Sequence, residues 1–243
     1  MGFTLFISDL HLCQSRPHVT TAFLSWLKNA VVKADALYIL GDFFEYWLGD
    51  DAIDKDFHRP IIAALHEITQ LGIPVYLMHG NRDFLIGAHF LALTGAQLID
   101  DPTHIQLYGK SVVLTHGDTM CTDDIGYMKF RQTVRNPMWQ KDFLGQSVEA
   151  RLAYAQQARV TSSAEKSLKD ADIMDVNVTA VIDMLRRYSY PAILIHGHTH
   201  RPNTHNQVVD GYVCQRYVLG DWYDQGSYLK MNADATIEVD RVL

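Results

Sequence analysis

Thr4-Leu5-Phe6-Ile7-Ser8-Asp9-Leu10-His11 is an apolar, β-branched run that ends in an aspartate and a histidine two positions apart. Such a run reads as a buried strand delivering its polar tip to the edge of a sheet. The pattern returns four times: Leu37–Leu40 leads to Gly41-Asp42, Val75–Met78 to Gly80-Asn81-Arg82-Asp83, Val112–Thr115 to His116-Gly117-Asp118, and Ile193–Ile195 to Gly197-His198-Thr199-His200. These tips offer oxygen and imidazole donors and no thiol. Strand alternation puts positions i and i+2 on one side, so Asp9 with His11, and His198 with His200, are expected to converge in pairs. Gly41, Gly80, Gly117 and Gly197 suit sharp turns or the close approach of an ion. A lone Asp or His at a strand end usually caps or packs, but five such tips in order are hard to obtain as separate accidents. The donors are too many for one tetrahedral ion and suit a pair of divalent ions sharing a carboxylate.

The bulk composition sets bounds on this reading. A chain of 243 residues, 48% hydrophobic, suits one α/β domain, with or without an insertion, and argues against disorder. A formal charge of −7 disfavours nucleic acid as a partner. Cys13, Cys121 and Cys214 are odd in number and lack C-x-x-C pairing, as expected of reduced, cytoplasmic thiols. No apolar run reaches the roughly 18 residues of a spanning helix. Neither a signal peptide nor N-myristoylation is expected, since Phe6 occupies the Ser/Thr position of the latter motif.

Helical stripes separate the strands: Phe23, Leu24, Leu27 and Val31 within Thr20–Val32, and Ile61, Ile62, Leu65 and Ile68 within Pro60–Leu71. Strands alternating with helices predict an α/β sheet covered by helices. After His200, Val213–Leu219 and Tyr228–Val242 read as strands, with turns at Asp210-Gly211 and Asn232-Ala233-Asp234. Residues 125–170 break the pattern, because they hold no strand signal and far exceed an ordinary loop. Tyr127, Phe130 and Val134 form one helical stripe there, and Val148, Leu152 and Ala155 another. Eight Lys/Arg against four Asp/Glu make this stretch +4, leaving −11 for the remainder of a chain at −7. With Met128, Met138, Trp139, Phe143 and Leu144 added, it reads as a helical lid, inserted at 125–170, that meets an anionic, greasy substrate. An ordinary helical hairpin packed onto the domain is the competing reading. Arg159, Ser162, Lys166 and Lys169 fall on one face of a continuous helix, unless Ser162-Ser163-Ala164-Glu165 is a capping box that starts a new one.

Asp-x-His, Gly-Asp, Gly-Asn-x-Asp, His-Gly and Gly-His-x-His in this order resemble the calcineurin-like metallophosphoesterases, from Asp9 to His200. The resemblance implies a four-layer αββα sandwich and two divalent ions, usually Mn²⁺. It implies that Asp9, His11, Asp42 and His200 hold one ion, and that Asp42, as the bridge, Asn81, His116 and His198 hold the other. The longer segments Ser8–Leu12, Gly80–Leu85, His116–Asp124 and His196–Pro202 are similar to one branch of that family. That branch splits a UDP-linked diacylated glucosamine into UMP and a lipid 1-phosphate during lipid A synthesis. The branch further implies a cytoplasmic monomer touching the inner membrane peripherally. Asp42, Asn81, Arg82 and His116 are then the expected catalytic residues. Asn81, Arg82, Asp124, Arg159, Ser162, Lys166, Lys169 and His198 are the expected substrate contacts, with Tyr127 beside Asp124. A metallophosphoesterase for soluble nucleotides or phosphoproteins is the other enzymatic reading.

Arg82 departs from the wider family, where many members have Gly-Asn-His. A guanidinium stays protonated and cannot readily donate a proton, but it can clamp phosphate through two hydrogen bonds. A phosphate leaving group needs little protonation, so Arg82 favours cleavage of an anhydride over a simple ester. Asp83 and Asp118 are expected to orient ligands, Ser8 to play no nucleophilic part, and His196 is held as a further site candidate.

Overall fold

Alternate residues of the central strands part to opposite faces, and that period of two sorts the core into layers. In a computed structural model, which describes residues 2–168, 175–223 and 226–242, with side chains left out for 163–168, the strands form two sheets. The first has the order β11 (Ile237–Arg241), β10 (Ser227–Asn232), β1 (Phe3–Ile7), β2 (Ala36–Leu40), β3 (Val75–Met78) and β4 (Gln97–Ile99). The second runs β5 (Thr103–Leu107), β6 (Lys110–Thr115), β7 (Ile193–His196), β9 (Tyr212–Val218) and β8 (Asn203–Val209). Leu5, Ile7, Leu37, Ile39, Val75 and Leu77 point to one side, against α1 (Pro17–Asn29), α2 (His58–Gln70) and α3 (Ala88–Thr94). Phe6, Tyr38, Leu40 and Met78 point to the other and meet Val112, Leu114, Ile193 and Ile195 of the second sheet. Val113, Leu194 and Cys214 then pack against Val181 and Leu185 of α7 (Val178–Arg187). The layers are therefore helix, sheet, sheet, helix.

The strands β1–β2–β3 and β6–β7–β9 pair in parallel, so each sheet sends its strand ends to one edge. Ligands of open α/β sheets gather at such carboxyl ends. The expected strands are present to within two residues at each end, apart from Tyr228–Val242, which splits into β10 and β11 around the Asn232–Asp234 turn. The short strands β4, β5 and β8 were not anticipated; all three lie at sheet edges, where polar sequences such as Asn203–Val209 are tolerated. Asp210 and Gly211, both at positive φ (54° and 88°), make the tight turn joining β8 to β9.

Between β6 and α7 come α4 (Ile125–Val134), α5 (Pro137–Leu144) and α6 (Val148–Leu168). Helix α6 runs unbroken through Ser162–Glu165, so the capping-box start is not adopted. Four arginines of these helices dock on the body. Arg131 Nε pairs with Asp118 at 2.8 Å, Arg135 Nη2 donates to the Gly80 carbonyl at 2.8 Å, Arg151 reaches the Leu48 carbonyl and Asp51, and Arg159 pairs with Glu45. Much of the positive charge expected to meet an anionic substrate is therefore paired within the molecule. Phe143 is likewise buried, joining the core, so the aromatic stripe of α5 is packing in part rather than a free lipid-facing surface. Among the described residues no helix is long and apolar enough to cross a membrane.

Candidate metal centre

Asp9, His11, Asp42, His198 and His200 all lie beyond their strands, with φ of 55°, 49°, 51°, 69° and 55°. Side chains other than glycine rarely occupy this left-handed region, although Asp and His tolerate it better than most. The Asp9/His11 and His198/His200 pairs therefore do not converge by strand alternation, as the spacing suggested. Left-handed turns just past Ile7 and His196 aim them. Two glycines permit the crowding this creates. A Cβ on Gly80 would run into the Asp42 amide and carboxylate, and one on Gly197 into the Asp9 carboxylate and Ser8.

Two clusters result. Asp9, His11 and His200 bring one ligand atom each together, as do Asp9, Asp42 and His116. His11 Nε2 lies 3.2 Å from His200 Nε2, and His200 Nε2 lies 3.3 Å from Asp9 Oδ1. Asn81 Oδ1 sits 3.0 Å from both His116 Nε2 and His198 Nδ1. Donors bound to one ion at roughly 2.1 Å stand roughly 3.0–3.4 Å apart, so these edges fit divalent coordination. Asp42 spans the two clusters: Oδ2 is 3.8 Å from His11 Nε2, and Oδ1 is 3.8 Å from His116 Nε2. Asp9 contributes to both clusters as well. Its Oδ2 accepts from Ser8 Oγ at 2.6 Å and from the His198 amide at 2.9 Å, while its buried Oδ1 has no hydrogen-bond donor. A buried carboxylate oxygen with no donor in hydrogen-bonding geometry, 3.3 Å from one imidazole nitrogen and 4.0 Å from another, is what a cation site requires.

The surroundings fix which imidazole nitrogen faces inward. His116 Nδ1 lies 2.9 Å from the Leu40 carbonyl, which keeps the Nε2 lone pair for the centre. His200 Nδ1 lies 3.1 Å from Asp221 Oδ2. Burial works to lower both histidines, but the facing carboxylates outweigh it and raise each to about 9. For Asp42, burial pushes the carboxyl up to about 7, with Asp83 and Asp9 adding to the effect of burial and His116 opposing it. Burial holds His11 well below the usual imidazole range. So concentrated a set of buried carboxylates calls for cations, and divalent metal meets that need while displacing protons from the imidazoles.

The calcineurin-like phosphoesterase family model matches residues 4–202, a span that holds all seven of these donor residues. The chain is a calcineurin-like phosphoesterase. A UDP-2,3-diacylglucosamine hydrolase of Xanthomonas axonopodis pv. citri is 47% identical to this phosphoesterase, covering 95% of the chain and 96% of the relative. Its namesake in Xanthomonas campestris pv. campestris is 48% identical at the same coverage. One from Stenotrophomonas maltophilia is 46% identical, covering 95% of both. The phosphoesterase centre is a divalent-metal site.

A cavity of about 560 Å³ opens from this centre. It is lined by Asn81, Arg82, His198 and His200 of the strand tips, by Asp124, Tyr127, Phe130 and Val134 at and within α4, and by Tyr154, Ala155, Ala158, Arg159 and Ser162 of α6. The structure thus brings Asp124, Arg159 and Ser162 to the cavity that the metal donors share. The side chain of Lys166 and the whole of Lys169 lie outside the described residues. Asp124 caps α4, accepting from the Tyr127 amide at 3.0 Å. Asp83 receives the amides of Phe43, Phe44 and Gly80, and Asp118 receives Tyr127 Oη and Arg131. His196 is turned away from the cluster: its ring nitrogens meet the Gly197 carbonyl and buried Arg216.

Sequence reasoning missed Glu45, Asp221 and Tyr223. Tyr223 stacks on His11 at 5.3 Å and carries Arg16 over its ring at 4.2 Å. Asp221 had a readable signal, since Gly220-Asp221 follows the strand β9 just as Gly41-Asp42 follows β2.

Proposed function

We propose that this phosphoesterase hydrolyses UDP-2,3-diacylglucosamine to UMP and 2,3-diacylglucosamine 1-phosphate, with Mn²⁺ as its metal. The observation that carries this reading is the cavity, where metal donors, the arginines Arg82, Arg159 and Arg201, and the apolar side chains of Phe84, Phe130, Val134 and Tyr154 share one space. A soluble nucleotide would leave those apolar side chains without a partner. The relatives' names point the same way. We assign Asp9, His11, Asp42 and His200 to one ion, and Asp42, Asn81, His116 and His198 to the other. Bound metal would supply an acidified water and neutralise charge on the phosphorus oxygens.

The protein's own residues do the rest. Asp42, its two oxygens turned to opposite histidines, is suited to the shared position. Leu40 and Asp221 hold His116 and His200 in the required tautomers. Arg82 and Arg159 bind the phosphates, and Arg82, always protonated, stabilises the departing phosphate without having to give up a proton. Asp124 and Ser162, which both line the cavity, serve the glucosamine. Helices α4–α6, from the insertion read at 125–170, act as the lid over the substrate, and we assign Lys166 and Lys169 to the substrate as further contacts.

We place the protein on the cytoplasmic side of the inner membrane, with Ile125, Met138, Leu144 and Val160, exposed on α4–α6, toward the lipid. Incubation of the protein with UDP-2,3-diacylglucosamine and Mn²⁺ should release UMP, and a deacylated UDP-sugar should be turned over far more slowly. Equal turnover of the two would sink the lipid assignment. Flotation with anionic vesicles, weakened by Met138→Ser and Leu144→Ser together, checks the membrane face.

A further inference from the structure

We propose that Glu45 is a positioning residue that gathers Arg82 and Arg159 into one phosphate-binding pair, an inference that rests on the function proposed above. Glu45 stands three residues beyond Asp42, among Phe43, Phe44, Tyr46 and Trp47, and is only 6% exposed. Three guanidiniums from separate parts of the chain close on it. Arg16 Nη2 lies 2.8 Å from Oε2, Arg82 Nη1 lies 3.4 Å from Oε1, and Arg159 of α6 pairs with that same Oε1. A carboxylate among aromatic rings demands such partners. The surplus is informative, because Arg82 and Arg159, which line the cavity, exceed the single Glu45 carboxylate and leave positive charge for an anionic ligand.

Glu45 engages one nitrogen each of Arg82 and Arg159, whereas a guanidinium carries five N–H donors. Both arginines line the cavity, so their remaining donors are available to a phosphate there. Without the carboxylate the two cations would repel each other, and Arg159, which is 42% exposed, would spread toward solvent. Glu45 is itself well anchored. Its amide donates to the Leu12 carbonyl at 3.1 Å, one residue past His11, and the Trp47 amide donates to the Arg82 carbonyl at 3.1 Å. The segment from Phe43 to Trp47 therefore ties the loops carrying His11 and Asn81 to the arginine of α6. In this arrangement Glu45 does not touch substrate; it acts through the two arginines.

Glu45→Gln keeps the shape and removes the charge. With UDP-2,3-diacylglucosamine and saturating Mn²⁺, its KM should rise about tenfold while kcat falls much less, because uniform binding has been removed. Bound metal should stay at the parent level. Glu45→Asp, which keeps the charge but withdraws it by one methylene, should recover part of the loss and decides the matter if Glu45→Gln does not fold. In a cycle with Arg159→Ala, Glu45→Gln should cost less than it does in the parent, because only its action through Arg82 remains. A parental KM in Glu45→Gln, or penalties that multiply in the double variant, would overturn the proposal. Failure of the unmodified protein to release UMP would instead remove the proposed function, so the two failures are distinguishable.

Discussion

Phe143 separates two physical roles for the insertion, packing and lipid contact. It is 5% exposed, stacks on Trp139 at 4.8 Å and meets Tyr154 edge-on at 5.4 Å. Truncating a buried Phe to Ala typically costs about 3–5 kcal/mol. Helix α5 has only 8 residues and Trp139 is partly exposed, so the surroundings can settle into part of the gap. The lower end, about 3 kcal/mol, is therefore expected for Phe143→Ala. In a chain of this length each kcal/mol moves the melting temperature by about 2–4 °C, which puts the drop at about 6–12 °C. Circular dichroism melts read it directly. Turnover of the diacylated and deacylated substrates, measured well below both melting temperatures, should fall together or not at all. Met138→Ser, on a side chain 67% exposed, should stay within about 0.5 kcal/mol of the parent. An unchanged melting temperature with a selective loss on the diacylated substrate would refute the packing assignment and return Phe143 to the acyl chains.

The remaining expectations concern the centre. His116→Ala or Asp42→Asn should abolish nearly all hydrolysis while the far-ultraviolet dichroism stays that of the parent, and full activity with unchanged metal content would remove that residue from the site. Asp221→Asn should weaken metal binding by about 10–100-fold through His200, as measured by titration with Mn²⁺; equal affinity would mean that Asp221 does not tune that imidazole. Arg82→His should keep the metal but lower pyrophosphate cleavage and raise relative activity on simple phosphate esters, and unchanged kinetics on both would contradict the clamp. Burial lowers His116 and His200 but the carboxylates raise both to about 9, so at pH 7 metal must displace protons from them. Metal affinity should therefore climb between pH 6 and 9, and calorimetry in buffers of different ionisation enthalpy should detect proton release at pH 7 that fades above 9. Metal uptake without proton release would contradict this.

The strands β1, β2, β3, β6 and β7 were legible because each is a short apolar run closed by a polar tip, and all the motif donors come from those tips. Strands β4, β5 and β8 were not, since edge strands are short or polar and carry no periodic hydrophobic signal. The grouping of Asp9 with His11 was readable, yet its cause was not: spacing suggests strand alternation, while the structure uses left-handed turns that composition does not announce. Net charge misled in the insertion for a related reason. A count of +4 cannot say whether an arginine faces solvent or a carboxylate of the body, and Arg131, Arg151 and Arg159 do the latter. Glu45 escaped notice because its partners are distant in sequence, at positions 16, 82 and 159.

Five left-handed donors carry a local cost that the rest of the fold must offset. At about 1–3 kcal/mol each, such conformations together rival the whole stability of a typical domain. Asp and His reduce the cost because they tolerate this region. The remainder is opposed by a lattice of backbone bonds around the turns. Asp9 donates to the Gly41 carbonyl, His11 to Asp42, Leu12 to Phe43, Gly197 to His116, and Trp222 to Asp9, all within 2.9–3.2 Å. Those bonds stitch the tips of β1, β2, β6, β7 and β9 to one another, across both sheets. Leu10 and Leu12, fully buried on either side of His11, add apolar anchors that would be exposed if the turn relaxed. The turns that carry the donors are thus held by the packing of two sheets. That is why loss of a single ligand is expected to empty the centre without unfolding the protein.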